Sequence, residues 1–385
     1  MKQWYNEPVS KIDQNMRQKA RAYQAVLTKP VGSLGQLETI AEDFCAWQST
    51  LKPTLNNIKV AVFAGDHGVT SQGVSAFPQA VTVQMITNFL EGGAAISVLS
   101  RDLNANFSVL NMGTAFPIPD DYAQHPQLVN VDIAKGTSDF SSVAAMTENQ
   151  LDLALNAGRN FIIKDGLDDS IEKNAAAAVV STTMSSTAKA STNTASTTNT
   201  KADLFVGGEM GIGNTTSASA IYAALLSLPA KEVVGVGTGV DAEGLLRKQA
   251  VIEKALKCHK EKLHDPYEIL RCLGGLEIAG LVGSYIACAQ KGIPVLVDGF
   301  ICTAAALVAV KMNPRVRDWL LFSHQSAEAA HHKALQFFQA EALLKLGLRL
   351  GEGSGAALAV PLLRSALSLH NNMATFAEAS VSEQS

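Results

Sequence analysis

The sequence predicts an α/β protein with a mostly parallel, doubly wound sheet in a three-layer α/β/α arrangement, plus a small helical domain from the N- and C-terminal segments. Three observations predict this fold class. Short, unbroken apolar runs recur along the chain, a polar loop follows each run, and helical stretches follow most of the loops. Unbroken apolar runs are typical of strands covered on both faces. Regular alternation of strand and helix favours a parallel sheet.

Composition narrows the class of protein. The chain has 385 residues, of which 47% are hydrophobic and 17% charged, and its formal net charge is -4. This length suffices for a large core, and the mild acidity gives no field that attracts nucleic acid or an anionic membrane. The five cysteines form no CxxC pair, and the first residues lack the apolar region of a secretion signal. We therefore expect a cytoplasmic protein that binds neither nucleic acid nor membrane.

Three regions are predicted along the chain. Residues 1–50 form the small helical domain, with two helices separated by the Gly- and Pro-containing segment 29–35, and part of the C-terminal helices joins it. Residues 51–345 form the large α/β domain. Residues 346–385 supply a Gly-Glu-Gly loop, a closing helix and a tail.

The large domain contains the candidate elements of the sheet. Candidate strands are 58–64, 107–112, 204–207, 232–236, 293–297 and 319–323. Candidate helices include 79–100, 242–262, 276–290 and 327–346. Ligands of such sheets bind outside the carboxyl ends of the strands, so we expect one site built from several loops. The Ala-, Ser- and Thr-rich run 175–201 has too little apolar surface to pack and is predicted to be a flexible insert.

The stretch 204–219 carries the strongest local signal. A short apolar run ends in a Gly-rich turn, and an Ala-rich helix follows. A strand that breaks through glycines into a helix leaves backbone N–H groups pointing one way, which suits a phosphate. Glu209 lies inside this loop, where a carboxylate would repel a phosphate unless it faces a cation or a donor such as a sugar hydroxyl.

Three other positions have two interpretations each. Glu352, between Gly351 and Gly353 at the start of an Ala-rich helix, is either a catalytic base or an acid favoured there by the helix dipole. Lys248 is either an exposed helix lysine or a phosphate ligand. The segment 75–85 is either a pocket for a flat heteroaromatic ligand or a plain loop and helix start.

A metal-dependent hydrolase is the alternative function. Asp66, His67 and His324 could supply metal ligands. Further candidate ligands are Asp298, Glu328, His331 and His332. Single-turn coincidences of His and Glu are common, and Ser326 as a helix N-cap explains that segment more simply. We therefore expect no metal.

Six segments together closely resemble the nicotinate-nucleotide–dimethylbenzimidazole phosphoribosyltransferase family. They are 29–38 (KPVGSLGQLE), 65–69 (GDHGV), 75–82 (SAFPQAVT), 208–217 (GEMGIGNTTS), 298–303 (DGFICT) and 346–356 (LGLRLGEGSGA). The resemblance runs from about Lys29 to Leu363. It implies a homodimer with a parallel sheet and a small helical domain, and chemistry without a metal or other cofactor.

The resemblance also implies a reaction in the nucleotide-loop branch of cobalamin biosynthesis. Nicotinate mononucleotide gives its phosphoribosyl group to 5,6-dimethylbenzimidazole, with inversion at the anomeric carbon. The products are α-ribazole 5′-phosphate and nicotinate. No metal or organic cofactor takes part, and both substrates are small molecules.

Site residues follow from the matching segments. The resemblance implies that Glu352 is the general base and that Glu209 lies near the ribose, where it favours a cationic sugar. The nucleotide and phosphate site would comprise Gly211, Gly213, Asn214, Thr215, Thr216, Gly237, Lys248 and Ser326. The benzimidazole pocket would comprise Ser75, Phe77 and Gln84.

Two features depart from the family pattern. The run 175–201 is longer than the resemblance leads us to expect. Val236 stands where a basic residue would precede Gly-Thr-Gly, which leaves one expected phosphate contact unaccounted for.

Overall fold

Six parallel strands form one sheet in the part of the chain that the computed structural model describes, residues 3–163, 201–235, 239, 241–328 and 330–382. The strands are β1 (Ile58–Gly65), β2 (Asn106–Gly113), β3 (Leu128–Asn130), β4 (Leu204–Met210), β5 (Val295–Val297) and β6 (Leu320–Phe322). Their order is β3-β2-β1-β4-β5-β6, and every neighbouring pair is parallel. The predicted fold class is confirmed.

The strand order reverses between β1 and β4. Phe63 lies opposite Glu209, and Ala64 lies opposite Met210, so the two strands end at the same edge of the sheet. Such a switch point leaves a crevice outside the carboxyl ends of the strands, because the following loops turn to opposite sides. The Gly-rich turn after β4 begins at this crevice.

Helices cover the sheet. They are α1 (Gln14–Ala25), α2 (Gln36–Gln48), α3 (Ala80–Glu91), α4 (Ala95–Asp102), α5 (Glu148–Ile163), α6 (Asn214–Leu226), α7 (Ala230–Val233), α8 (Ala242–Cys258), α9 (Pro266–Leu273), α10 (Leu276–Lys291), α11 (Phe300–Met312), α12 (His331–Phe338), α13 (Ser354–Asn372) and α14 (Phe376–Ala379). Helix α10 packs on β1, β2 and β4, α3 and α4 pack on β2, and α13 packs on β4. All residues of β1 are buried, as its unbroken apolar run predicts.

The N-terminal helices pack against the C-terminal helix α13. Leu27 forms an antiparallel bridge with Thr375, and Gln24 Nε2 donates to His370 Nδ1 at 2.8 Å. A small helical domain built from the N- and C-terminal segments requires contacts of this kind. The division of the chain into domains stays a prediction. Within the described ranges, no helix combines the length and apolarity needed to span a bilayer.

Several predicted elements are wrong or misplaced. The predicted strand 232–236 overlaps helix α7, and residues 236–238 lie outside the described part. Strand β3 was not predicted because it has only three residues, of which Leu128 is partly buried and Val129 and Asn130 are exposed. The predicted helix 79–100 is two helices, since Gly92 takes a left-handed φ of 83°. The predicted helix 327–346 is reduced to α12, which ends at the left-handed Gln339. The predicted insert 175–201 lies outside the described residues except for Lys201.

Helices α5 and α10 are packed closely enough to require glycine, which yields a test of the fold. A Cβ atom at Gly158 would overlap the backbone carbonyl of Gly280. Although Ala favours a helix over Gly by about 1 kcal/mol, we expect Gly158→Ala to lower the free energy of unfolding by about 1–3 kcal/mol, because overpacked backbones must separate.

Urea unfolding measures this change. Asn160→Ala, on the exposed side of the same helix, is the matched control and is expected to change the free energy by no more than about 0.5 kcal/mol. A Gly158→Ala protein as stable as the parent would contradict the packing described for these helices.

Candidate active site

Glu209 lies one residue before the end of β4, at the switch point. Its side chain is buried, and Asn214 Nδ2 donates to its Oε2. Burial, followed by the nearby Asp298 and Glu277 carboxyls, raises the pKa of Glu209 well above its ordinary value, and Glu352 contributes in the same direction. Burial and the neighbouring acids therefore favour the protonated form of the Glu209 carboxyl.

The turn after β4 places the start of helix α6 at the carboxyl end of the sheet, next to Glu209. A Cβ atom at Gly211 would overlap the carbonyl of Gly65 at the end of β1, so only glycine allows the two loops to lie this close. Gly213 takes a left-handed φ of 99° and precedes the helix without a side-chain cap. Ile212 N donates to Thr82 Oγ1 at 3.3 Å, which places the start of α3 beside the same turn.

Lys248 points from α8 to the start of α6. Its side chain is buried, and Nζ donates to Thr215 Oγ1 at 2.9 Å. Burial lowers the pKa of Lys248, and the Glu328 carboxylate opposes this shift. The interpretation of Lys248 as an exposed lysine is wrong, because the structure buries it at a helix N-terminus. A cation, a hydroxyl and a helix dipole at one place favour an anion.

Glu352 occupies a strained turn before α13. Gly351, Glu352 and Gly353 have consecutive positive φ angles of 89°, 66° and 86°. A left-handed Glu is disfavoured, and such residues cluster at functional sites. Glu352 Oε2 is buried and has no hydrogen-bond partner within the described ranges. Burial and then the Asp298 carboxyl raise the pKa of Glu352 to about 7.

One cavity contains both acids. The loops after β4, β5 and β6 line it, together with residues 349–352. The sequence-predicted residues that line it are Glu209, Gly211, Asn214, Thr215, Ser326 and Glu352. Lys248 lies behind Thr215, Gly213 forms the turn beneath, and Thr216 is buried in the first turn of α6. Gly237 and Val236 lie outside the described residues.

The predicted benzimidazole residues do not line this cavity. Ser75 Oγ donates to Phe77 O at 3.1 Å in a loop before α3, and the Phe77 ring is 48% exposed. Gln84 is exposed on α3. The base-binding role of these three residues stays a prediction.

The residues of the alternative hydrolase have separate partners. Asp66 accepts from Thr82 Oγ1 at 2.6 Å, and His67 Nε2 lies 2.7 Å from Glu277 Oε1. His324 Nδ1 lies 3.6 Å from Asp298 Oδ1. Across the described ranges, no group of three or more His, Cys, Asp or Glu side chains is placed to hold a metal ion.

Arg349 is a cavity residue that the sequence reasoning missed, and Asp298 is one that it had named only as a possible metal ligand. Asp298 follows β5 directly, and Arg349 precedes the Gly-Glu-Gly turn, so both lie in loops that the sequence analysis had placed at the site. Position at the carboxyl end of a parallel strand was the signal available for Asp298.

The raised pKa of Glu352 predicts a pH-dependent effect on stability. The native protein keeps the proton between the ordinary pKa of 4.5 and about 7, whereas the unfolded chain releases it, so stability is lost as pH rises through this window. Glu352→Gln removes this loss. We expect the variant to gain Tm over the parent at about pH 8 and much less at about pH 5.

Calorimetry at the two pH values measures the difference, and the lower pH serves as the internal control. A gain in Tm that is equal at both values would mean that the Glu352 carboxyl titrates normally.

Comparisons with known proteins agree with this arrangement. A family model described as Phosphoribosyltransferase matches residues 9–169 and 167–381. The nicotinate-nucleotide–dimethylbenzimidazole phosphoribosyltransferase of Pseudomonas aeruginosa LESB58 is 50% identical over 382 residues, which cover 99% of each chain. The Pseudomonas putida F1 protein of the same name is 49% identical over 381 residues, covering 99% of this chain and 98% of its own.

Solved structures show the same likeness. The crystal structure of the protein of this name from Thermus thermophilus superposes with a TM-score of 0.81 at 38% identity, covering 97% of this chain and 100% of its own. A crystal structure of CobT from the same organism gives a TM-score of 0.82 at 39% identity, covering 96% of this chain and 100% of its own.

Proposed function

Because this chain belongs to the nicotinate-nucleotide–dimethylbenzimidazole phosphoribosyltransferase family, we propose that it transfers the phosphoribosyl group of nicotinate mononucleotide to 5,6-dimethylbenzimidazole. Nicotinate leaves, and α-ribazole 5′-phosphate forms with inversion at the anomeric carbon. The single observation that carries the proposal is that Glu209 and Glu352 line one cavity beside an anion-favouring helix start.

The phosphate is proposed to bind at the start of α6. Backbone N–H groups and the dipole of this helix favour an anion. Thr215 and Lys248 add a hydroxyl and a cation there, and Ser326 lines the same cavity. Arg349 also lines it and supplies a second positive charge for the phosphate or for the nicotinate carboxylate.

Glu209 is proposed to face the ribose. The substrate carries a positive pyridinium ring, and the sugar becomes oxocarbenium-like as the bond to nicotinate breaks. A nearby cation lowers the pKa of a carboxyl, so substrate binding favours ionised Glu209. The anion then stabilises the charge that develops on the sugar. In this role Glu209, which Asn214 ties to the start of α6, would contact the ribose, and the phosphate would lie on the side of Thr215 and Lys248.

Glu352 is proposed to be the general base. It takes the N–H proton of the benzimidazole while the other ring nitrogen attacks the anomeric carbon. Its unpaired, buried Oε2 offers a vacant acceptor, and a pKa of about 7 suits proton transfer near neutral pH. Ser75, Phe77 and Gln84 are proposed to hold the base, since the start of α3 lies beside the cavity and Phe77 is exposed for stacking. The homodimer and the cytoplasmic location stay predictions.

Turnover tests the general base. We expect nicotinate release from nicotinate mononucleotide only when a benzimidazole is supplied, and we expect Glu352→Gln to lower turnover by about 10²–10⁴. Chromatography of the products measures both. Near-normal turnover of the variant would remove Glu352 from this role, and binding of the nucleotide without nicotinate release from the parent protein would contradict the transfer itself.

Lys248 provides a separate test of the phosphate site. A hydrogen bond to a charged group contributes about 1.5–3 kcal/mol, so Lys248→Met should raise the KM for nicotinate mononucleotide about 10- to 100-fold. The kcat should change less, because the phosphate is remote from the reacting bond. Lys254→Met is the matched control, since Lys254 lies on the same helix and contacts Ser141. Equal KM values in the two variants would argue against a phosphate at Lys248.

A further inference from the structure

Asp298 holds the turn that carries Glu352. It follows β5 directly, and its side chain is 1% exposed. Its Oδ2 accepts from Gly353 N at 3.2 Å, and its Oδ1 accepts from Ala356 N at 2.9 Å. One carboxylate therefore binds Gly353, the residue after Glu352, and Ala356 in the first turn of α13. These two contacts fix the backbone where the turn passes into the helix.

The turn needs such an anchor. Glu352 has a left-handed φ of 66° between two glycines that are also left-handed. Left-handed backbone is unfavourable for Glu and persists only where the surrounding structure holds it. A Cβ at Gly351 would also overlap Glu209 Oε1, so the turn is confined from a second side.

Asp298 also acts on Glu352 through charge. After burial, the Asp298 carboxyl is the neighbour that raises the pKa of Glu352. Burial raises the pKa of Asp298, and His324, with Nδ1 3.6 Å from Oδ1, and the backbone donors of the turn oppose this shift. The charged or titratable side chains that line the cavity around Glu352 are Glu209, Asp298, Cys302, His324, Glu328 and Arg349.

We propose that Asp298 is a positioning residue for the transfer reaction, because its two backbone contacts fix the turn that carries Glu352 at the cavity. The negative charge of Asp298 beside Glu352 then gives this role a readout in the pH dependence of the reaction. This inference rests on the proposed function, in which Glu352 accepts the benzimidazole proton. A carboxylate that only capped α13 would stabilise the helix and leave the pH dependence of the reaction unchanged.

Two neutral replacements test it, Asp298→Asn and Asp298→Ser. Each keeps an acceptor for a backbone N–H and removes the charge. The acid limb of the pH profile of kcat/KM for nicotinate release should move to lower pH by about one unit, because a like charge beside Glu352 is gone. The plateau rate should also fall by about 10- to 100-fold as the turn loosens.

The matched control is Asp66→Asn. Asp66 is also buried at the end of a parallel strand and accepts from Thr82 and Ala115 N, and it does not line the cavity. Its replacement should leave the acid limb in place. A second readout needs no activity: the infrared carboxyl band of Glu352, identified by its loss in Glu352→Gln, should titrate at lower pH in the Asp298 variants.

The outcomes separate this inference from the proposed function. Suppose that the parent enzyme releases nicotinate, while in the Asp298 variants neither the acid limb of the pH profile nor the titration of the Glu352 infrared band moves. That result would contradict the role of Asp298 and leave the proposed function standing. A parent enzyme that releases no nicotinate contradicts the proposed function, and the Glu352 band still decides whether Asp298 acts on that carboxyl. Failure of both Asp298 variants to fold would also contradict the inference, since Asp298 would then be needed for folding.

Discussion

The site depends on the contact between two backbone segments, Gly208 in β4 and the turn at Glu352 and Gly353. A side chain at Gly208 would overlap the Glu352 carbonyl, and a Cβ at Gly353 would lie 3.2 Å from the Gly208 Cα. Because neither glycine has a side chain, the strand and the turn can touch. That contact brings Glu352 into the cavity that Glu209 enters from the strand, so two acids from distant parts of the chain line one cavity.

The charges of the site lie around the starts of two helices, and both signs occur at the first of them, where Glu328 lies near Lys248 and Asn214 donates to Glu209. At the start of α6, Lys248 and the helix dipole favour an anion. At the start of α13, Asp298 takes up the backbone donors, so the acids beside it gain no such stabilisation. Burial and then the Asp298 carboxyl raise the pKa values of Glu209 and Glu352. The nucleotide proposed as substrate carries an anionic phosphate and a cationic ring, which would face Lys248 and the two acids respectively.

The sequence was sufficient for the fold class, because the apolar runs that form β1, β4 and β5 are buried in the sheet. It also identified Glu209 and Glu352 as unusual acids, because both lie in glycine-rich turns. It could not show that Lys248 is buried, since that depends on how α8 packs against α6. The role of Asp298 was equally hidden, because its contacts with Gly353 and Ala356 bridge residues more than 50 positions apart. The substrates themselves came from the resemblance and not from residue chemistry.

A crystal structure with α-ribazole 5′-phosphate and nicotinate bound would test the convergence of the two acids most directly. The phosphate should lie at the start of α6 within reach of Lys248. The anomeric carbon should lie between the carboxyl groups of Glu209 and Glu352, with a benzimidazole nitrogen about 2.6–3.2 Å from a Glu352 oxygen. A nucleotide bound with its ribose away from both carboxyl groups would contradict the account, whatever the activity of the protein.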